Sequence, residues 1–213
     1  MNLQARFHPS TISNFLKIKR EFPSAIIAGG AVRDLCLGKE IKDIDVFISG
    51  DPKSRIVHAA KKRSHWIHNF RAFWQKVLQD RNWNIKVNTS SYNKDPAIDM
   101  VFSMYNPDLD FTMIDTVPKI DVIFLVKPAL QYFEEDFDFN ICKAYFDGTK
   151  SKYTSGFVKD ARNETITLAG PLDYRSINYS MNLHLPRIKH KYPNFKEVIP
   201  QKYKDILYND IPF

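Results

Sequence analysis

Only two cysteines occur in the 213 residues, Cys36 and Cys142, far apart and in unlike contexts. That excludes a disulfide framework and a cysteine zinc site, and it fits a reduced, cytoplasmic protein. Apolar runs of eighteen or more residues are missing too, so neither a membrane span nor a membrane partner is expected. The opening stretch MNLQARFHPSTISNF lacks the apolar segment of a secretory signal. No internal repeat, low-complexity tract or long linker stands out. Among the six histidines only His65 and His68 are close together, and they fall in a basic, solvated stretch. Glycine is scarce, and four of the seven lie between positions 29 and 50.

Charge is present in excess of one sign, +7 overall, but its distribution says more than its sum. From Lys53 to Lys94 there are ten Lys or Arg and one acid, Asp80. From Asp95 to Asp138, ten Asp or Glu face only Lys119 and Lys127. A basic surface for a polyanion beside an acidic centre for cations accounts for this; so does a solvated basic helix beside polar loops. On the first account the nucleic-acid contacts are Arg55, Lys61, Lys62, Arg63, Arg71 and Lys76.

Periodicity and punctuation predict a helix over 11–21, capped by Ser10 or Thr11 and ended before Pro23. A strand over 25–28 turns at Gly29-Gly30 into a helix over 31–37, which Gly38 terminates. Alternation over 41–48 reads as a strand, and Asp51-Pro52 opens a long basic helix to about residue 79. Four β-like runs follow, near 83–89, 97–104, 111–117 and 120–126. Pro128 then opens a helix reaching Phe146, and two more helices are expected near 174–190 and 195–208. Trp66, Trp74 and Trp83 read as core. The order describes a mixed α/β sheet with a helical C-terminal part.

The chemistry concentrates in IIAGGAVRDLCLGKEIKDIDVFISG, residues 26–50. Glycines let the backbone approach a bulky ligand, and the N–H groups that open the next helix can hold phosphate. Arg33 falls on the first turn of that helix, within reach of the same anion. Asp43 and Asp45, two apart on a strand, point to one face of an otherwise apolar run. Two carboxylates so placed raise each other's pKa unless a cation intervenes, and such oxygen donors suit Mg²⁺ or Mn²⁺. An exposed edge strand would explain the two acids alone, but not the glycine turn ahead of them.

GGAVRD, Gly38 and DIDVF together resemble the head-domain signature of CCA-adding enzymes, bacterial poly(A) polymerases and related polymerase-beta-type nucleotidyltransferases. That resemblance implies an α+β fold, a small mixed sheet flanked by helices. It further implies that Gly29, Gly30 and Arg33 handle a nucleoside triphosphate, that Asp43 and Asp45 bind the metals, and that a third carboxylate lies on a neighbouring strand. Asp121, in KIDVIFLV, is the choice for that third group; Asp99, in AIDMVF, is the runner-up and Asp115 comes after it. A looser match, Asp136 and Asn140, keeps the spacing of the family's Arg-Arg-Asp motif and its following Asn, with Glu134 and Glu135 where the arginines would be. Asp136 and Asn140 would then contact the ribose or orient the turn.

The implied reaction moves a nucleoside monophosphate from an NTP to a hydroxyl, releasing pyrophosphate. RNA, with a tRNA 3′ end as one form of it, is the expected acceptor; a small molecule, a protein, or a nucleic-acid-binding protein without catalysis are the alternatives. The catalytic part is expected over 1–146 and a mostly helical extension over 147–213. That extension has no room for the longer helical neck, body and tail of CCA-adding enzymes, and no Glu-Asp-x-x-Arg motif is found. The C-terminal run LPRIKHKYPNFK interleaves basic and aromatic residues, which suits either nucleic acid or a packed helix with a charged face.

Overall fold

The computed structural model describes residues 7–49, 73–78, 83–87, 95, 97–105, 119–171 and 173–209. Helix α1 (Pro9–Glu21) begins two residues ahead of expectation, because Pro9 has a preset φ and no N–H to satisfy and so suits the first helical position. His8, rather than Ser10 or Thr11, caps it, its ring nitrogen accepting from the Ser10 N–H at 3.3 Å. Thr11, Phe15 and Ile18 form the buried stripe.

Strand β1 (Ile26–Ala28) is wholly buried and leads through Gly29 into helix α2 (Gly30–Cys36). Gly38 ends that segment at φ +69°, the left-handed conformation expected of it. Strands β2 (Ile44–Ser49), β3 (Asn84–Val87), β4 (Ile98–Tyr105) and β5 (Lys119–Leu125) follow, with residues 73–78 forming helix α3. The expected run over 111–117 and most of the basic helix, Trp66 included, lie outside the described residues.

After β5 the chain departs from expectation. Helix α4 (Ala129–Glu135) stops at Asp136 instead of reaching Phe146. A 3-10 turn (Asn140–Cys142) and strand β6 (Ala144–Phe146) follow, paired on one side with β1 and on the other with β7 (Ser151–Tyr153). Burial decides the outcome: Phe137 packs towards Gly29 and Phe139 is 1% exposed, which a continuous helix would not allow. Helix α5 (Ser155–Asn163) was not anticipated, although Thr154 caps it through Phe157 N–H at 3.1 Å and Phe157, Asp160 and Ala161 are its buried side. The parallel pair β8 (Thr165–Thr167) and β9 (Lys196–Val198) was missed as well. Helix α6 (Tyr174–Tyr179), a π-helical turn (Ser180–His184) and helix α7 (Leu185–Lys191) run on from one another, and helix α8 (Gln201–Asn209) starts only after Pro200.

The seven-stranded sheet has the order β3-β4-β5-β2-β1-β6-β7, and only β2 and β5 pair in parallel among its strands. Alternation sends Val46, Ile48, Val122 and Phe124 to one face and Phe47, Ile123 and Leu125 to the other. The larger cluster carries Phe15, Val32, Trp74 and Trp83 and extends to Ile188 and Tyr203. On the opposite face α4 lays Ala129, Tyr132 and Phe133 over the sheet. Strand β7 continues this sheet beyond residue 146, so the same core serves both sides of the division expected there.

Candidate functional site

Parallel pairing puts Asp45 of β2 opposite Asp121 of β5, and β4 puts Ser103 on the far side of Asp121. Residues paired in this way point to one face, here the face that α4 covers. Asp43 stands two residues ahead of Asp45, before the strand begins, and is exposed. On the other side β1 runs antiparallel with Ile27 opposite Val46, so one more step brings Ala28 alongside Asp45. Gly29 and Gly30 therefore leave the sheet next to the carboxylates.

Asp121 is 2% exposed. Its Oδ2 accepts from Lys119 Nζ at 2.7 Å, while its Oδ1 is buried without a hydrogen-bond partner. Asp45 keeps an edge in solvent, yet protein surrounds its carboxyl. Burial first, then Asp43 and Asp121, push that carboxyl up to about 8, with Lys119 pulling the other way. Neighbouring strands are about 4.8 Å apart, where two like charges repel by roughly 3 kcal/mol at an effective dielectric near 20. Such a cost is large against a domain's total stability, so a proton or a cation belongs between them. Burial works against the Lys119 charge, but its bond to Asp121 and the field of Asp121, Asp43 and Asp45 hold its pKa above the ordinary value.

Among the described residues no three His, Cys, Asp or Glu side chains are close enough together to form a ready metal cage. The donor set nevertheless fits a hard divalent cation: the orphaned Asp121 oxygen and the Asp45 carboxyl, crowded by Asp43 and Asp121, are hard oxygen donors. Asp99, the alternative third carboxylate, sits exposed at a bulge of β4 opposite the Phe124–Leu125 end of β5, three to four residues along the strand from Asp121. That is roughly 10–13 Å away. Asp115 lies outside the described residues.

The glycine turn is demanding. Gly29 adopts φ +78° and ψ −131°, and a Cβ there would stand 3.2 Å from a Phe137 ring carbon. Arg33, on α2, is buried; its Nε donates to Asp34 at 2.7 Å and its Nη1 to the Cys142 sulfur at 3.2 Å. Its Nη2 lies 3.6 Å from where a Gly30 Cβ would be, at the turn itself. Asp34 Oδ1 also accepts from Tyr192 O–H at 2.8 Å, and Oδ2 from Lys191 Nζ. The Arg33 guanidinium lies over the Tyr192 ring, 5.3 Å from its centroid. Helix α7 and the residue after it thus hold the helix that follows the turn.

Asp136 pairs with Lys127, and Asn140 is turned against Gly156 of α5, where a Cβ would come within 2.6 Å of the amide. The loop between them meets the glycine turn through Phe137, a contact that no motif announces. Of the basic candidates, Lys76 is exposed on α3. Arg55, Lys61, Lys62, Arg63 and Arg71 lie outside the described residues. In the C-terminal basic run, Lys189 is bonded to the Phe195 carbonyl at 2.7 Å, Lys191 to Asp34, and Tyr192 is 3% exposed. Packing has claimed much of that face.

A mixed sheet with two strand-borne carboxylates beside a Gly-Gly turn defines the polymerase-beta-like nucleotidyltransferase fold. Solved structures agree. The chain resembles a CCA-adding enzyme in its apo form (TM-score 0.54, 15% identity, 94% of this chain and 41% of that one) and a CCA-adding enzyme in complex with ATP (0.53, 17%, 95% and 40%). It also resembles the Thermotoga maritima CCA-adding enzyme complexed with tRNA (0.52, 16%, 92% and 40%). Identity this low speaks for the fold alone, and the chain spans about two fifths of the length of these enzymes. The family of Gabija anti-defense 2 (Gad2) proteins matches residues 4–164, and the chain belongs to that family. No curated protein matches it. Among the described residues no helix is long and apolar enough to cross a membrane.

Proposed function

We propose that this chain is a metal-dependent nucleotidyltransferase that joins a nucleoside monophosphate from an NTP to a hydroxyl, with RNA as the acceptor. The observation that carries the reading is the in-register pair Asp45–Asp121, with Asp43 two residues ahead and the glycine turn alongside. The acceptor oxygen attacks the α-phosphorus, the bond from that phosphorus to the bridging oxygen breaks, pyrophosphate leaves, and the hydroxyl proton passes to solvent. Asp43, Asp45 and Asp121 would hold the divalent cations, which would supply charge neutralisation and a lowered hydroxyl pKa. The protein's own share is placement. Gly29 and Gly30 admit the triphosphate against the backbone, Arg33 Nη2 gives it a fixed positive charge, and the two strands fix the carboxylate spacing. Asp136 and Asn140 stiffen the loop that carries Phe137 against the turn.

RNA is favoured by the basic run from Lys53 to Lys94 and by the tRNA complex of the Thermotoga enzyme. On this reading the anti-defense role in the family's name is exercised by transferring nucleotide. The test incubates the protein with labelled ATP, CTP, GTP or UTP, Mg²⁺ and total RNA. Label on RNA that Asp45→Asn abolishes is the expected result. Label on protein or small molecules moves the acceptor elsewhere, and no transfer to anything refutes the reading.

A further inference from the structure

Lys119 is one of only two basic residues between Asp95 and Asp138, and the other, Lys127, is engaged with Glu135 and Asp136. It opens β5 two residues before Asp121, so both side chains share a face. Its ammonium reaches Asp121 Oδ2 at 2.7 Å, in the field of Asp43 and Asp45. The two partners differ sharply in cover: the Lys119 side chain is 41% exposed and that of Asp121 is 3%. A buried carboxylate needs a counter-charge, and breaking a buried pair leaves that carboxylate costly. The lysine head, by contrast, is half in water on a flexible stem and loses little by moving.

Resting on the nucleotidyltransferase reading, we propose that Lys119 is the resident counter-ion of the carboxylate site. It neutralises Asp121 before a divalent cation enters, is displaced from Oδ2 by that cation, and then pairs with the phosphates of the bound nucleotide. An ammonium and a divalent cation on one carboxylate repel each other at close range, so the two compete for Asp121. After displacement the tether keeps the ammonium beside the carboxylate row and the glycine turn, where the polyphosphate brings the negative charge it lost. Asp121 Oδ1, without a partner, is the oxygen a cation meets first.

The prediction is a pair of opposite effects on the full chain. Lys119→Met removes the competitor, so Mn²⁺ binding without nucleotide, followed by calorimetry or electron paramagnetic resonance, should tighten by about tenfold. The same variant should bind ATP with Mg²⁺ about tenfold more weakly, because a phosphate partner is gone. Lys119→Arg should keep ATP affinity near wild type, and Asp45→Asn serves as the control that loses Mn²⁺. A lysine of purely structural value would move both affinities the same way, or shift only the melting temperature. Unchanged or weaker Mn²⁺ binding in folded Lys119→Met overturns the proposal while the metal site stands. Absence of Mn²⁺ binding in wild type and variant alike refutes the metal-site reading, and this proposal with it.

Discussion

At the scale of single residues, Asp45 is where fold and function pull against each other. Its carboxyl titrates near 8 in the fold and near 3.8 as an ordinary aspartate, so between those values the folded state holds a proton that the unfolded chain lacks. The associated stability is fully present below about pH 4 and is lost as pH rises through about 8. In chelator, melting temperature should therefore fall from about pH 5 to about pH 9 for wild type and stay nearly level for Asp45→Asn. Mg²⁺ should restore much of the loss at the alkaline end in wild type only; parallel curves for the two proteins would contradict the origin assigned to the strain. Asp121→Asn should abolish transfer, whereas Asp99→Asn, on β4 opposite the far end of β5, should leave it nearly intact. Kinetics of both variants decide between the carboxylates, and equal losses would count against Asp121. The strand positions of Asp45 and Asp121 are legible in sequence because each sits in a short apolar run that marks a strand. Lys119 and Phe137 are not, because their meaning comes from a cross-strand register and a returning loop.

Among the elements, the tie between α2 and α7 has the largest measurable consequence. Asp34 takes donors from Arg33, Tyr192 and Lys191, and it is 4% exposed. Lys191→Met and Tyr192→Phe should each cost about 1–3 kcal/mol, since each strips a bond from a buried carboxylate. The double variant should cost less than the sum, because the two donors serve one group. Urea unfolding of the four proteins measures the coupling, and strict additivity would separate the two contacts. The strands and helices up to β5 follow their hydrophobic periods closely within the described residues. The helix expected from Pro128 to Phe146 failed for a physical reason: Phe137 and Ile141 would share one side of a helix with Phe139 and Phe146 on the other, a pattern that a loop and a strand accommodate equally well. Only their burial against Gly29, Leu168 and β1 distinguishes the two. Thr154, which caps helix α5, is a signal that the sequence does carry.

For the molecule as a whole, the charge asymmetry makes the proposed RNA binding testable by salt. If the stretch from Lys53 to Lys94 carries RNA, log affinity should fall linearly with log salt, by about 0.7 per phosphate contact on a single strand. Replacing Lys61, Lys62 and Arg63 with alanine should flatten the slope by about two units and leave NTP affinity unchanged. A flat wild-type series would reduce the basic stretch to a solvated surface. The tie to Asp34 also has a consequence in time. Lys191 and Tyr192 lie 157 and 158 residues downstream of the carboxylate they satisfy. At about 5–20 residues per second on a ribosome, Asp34 waits about 8–30 s for them. Through that interval the helix after the glycine turn lacks two of its anchors, and for much of it Asp45 lacks the strand that carries Asp121. The buried carboxylate of a nascent chain is therefore left without two of its three donors until the last helices emerge.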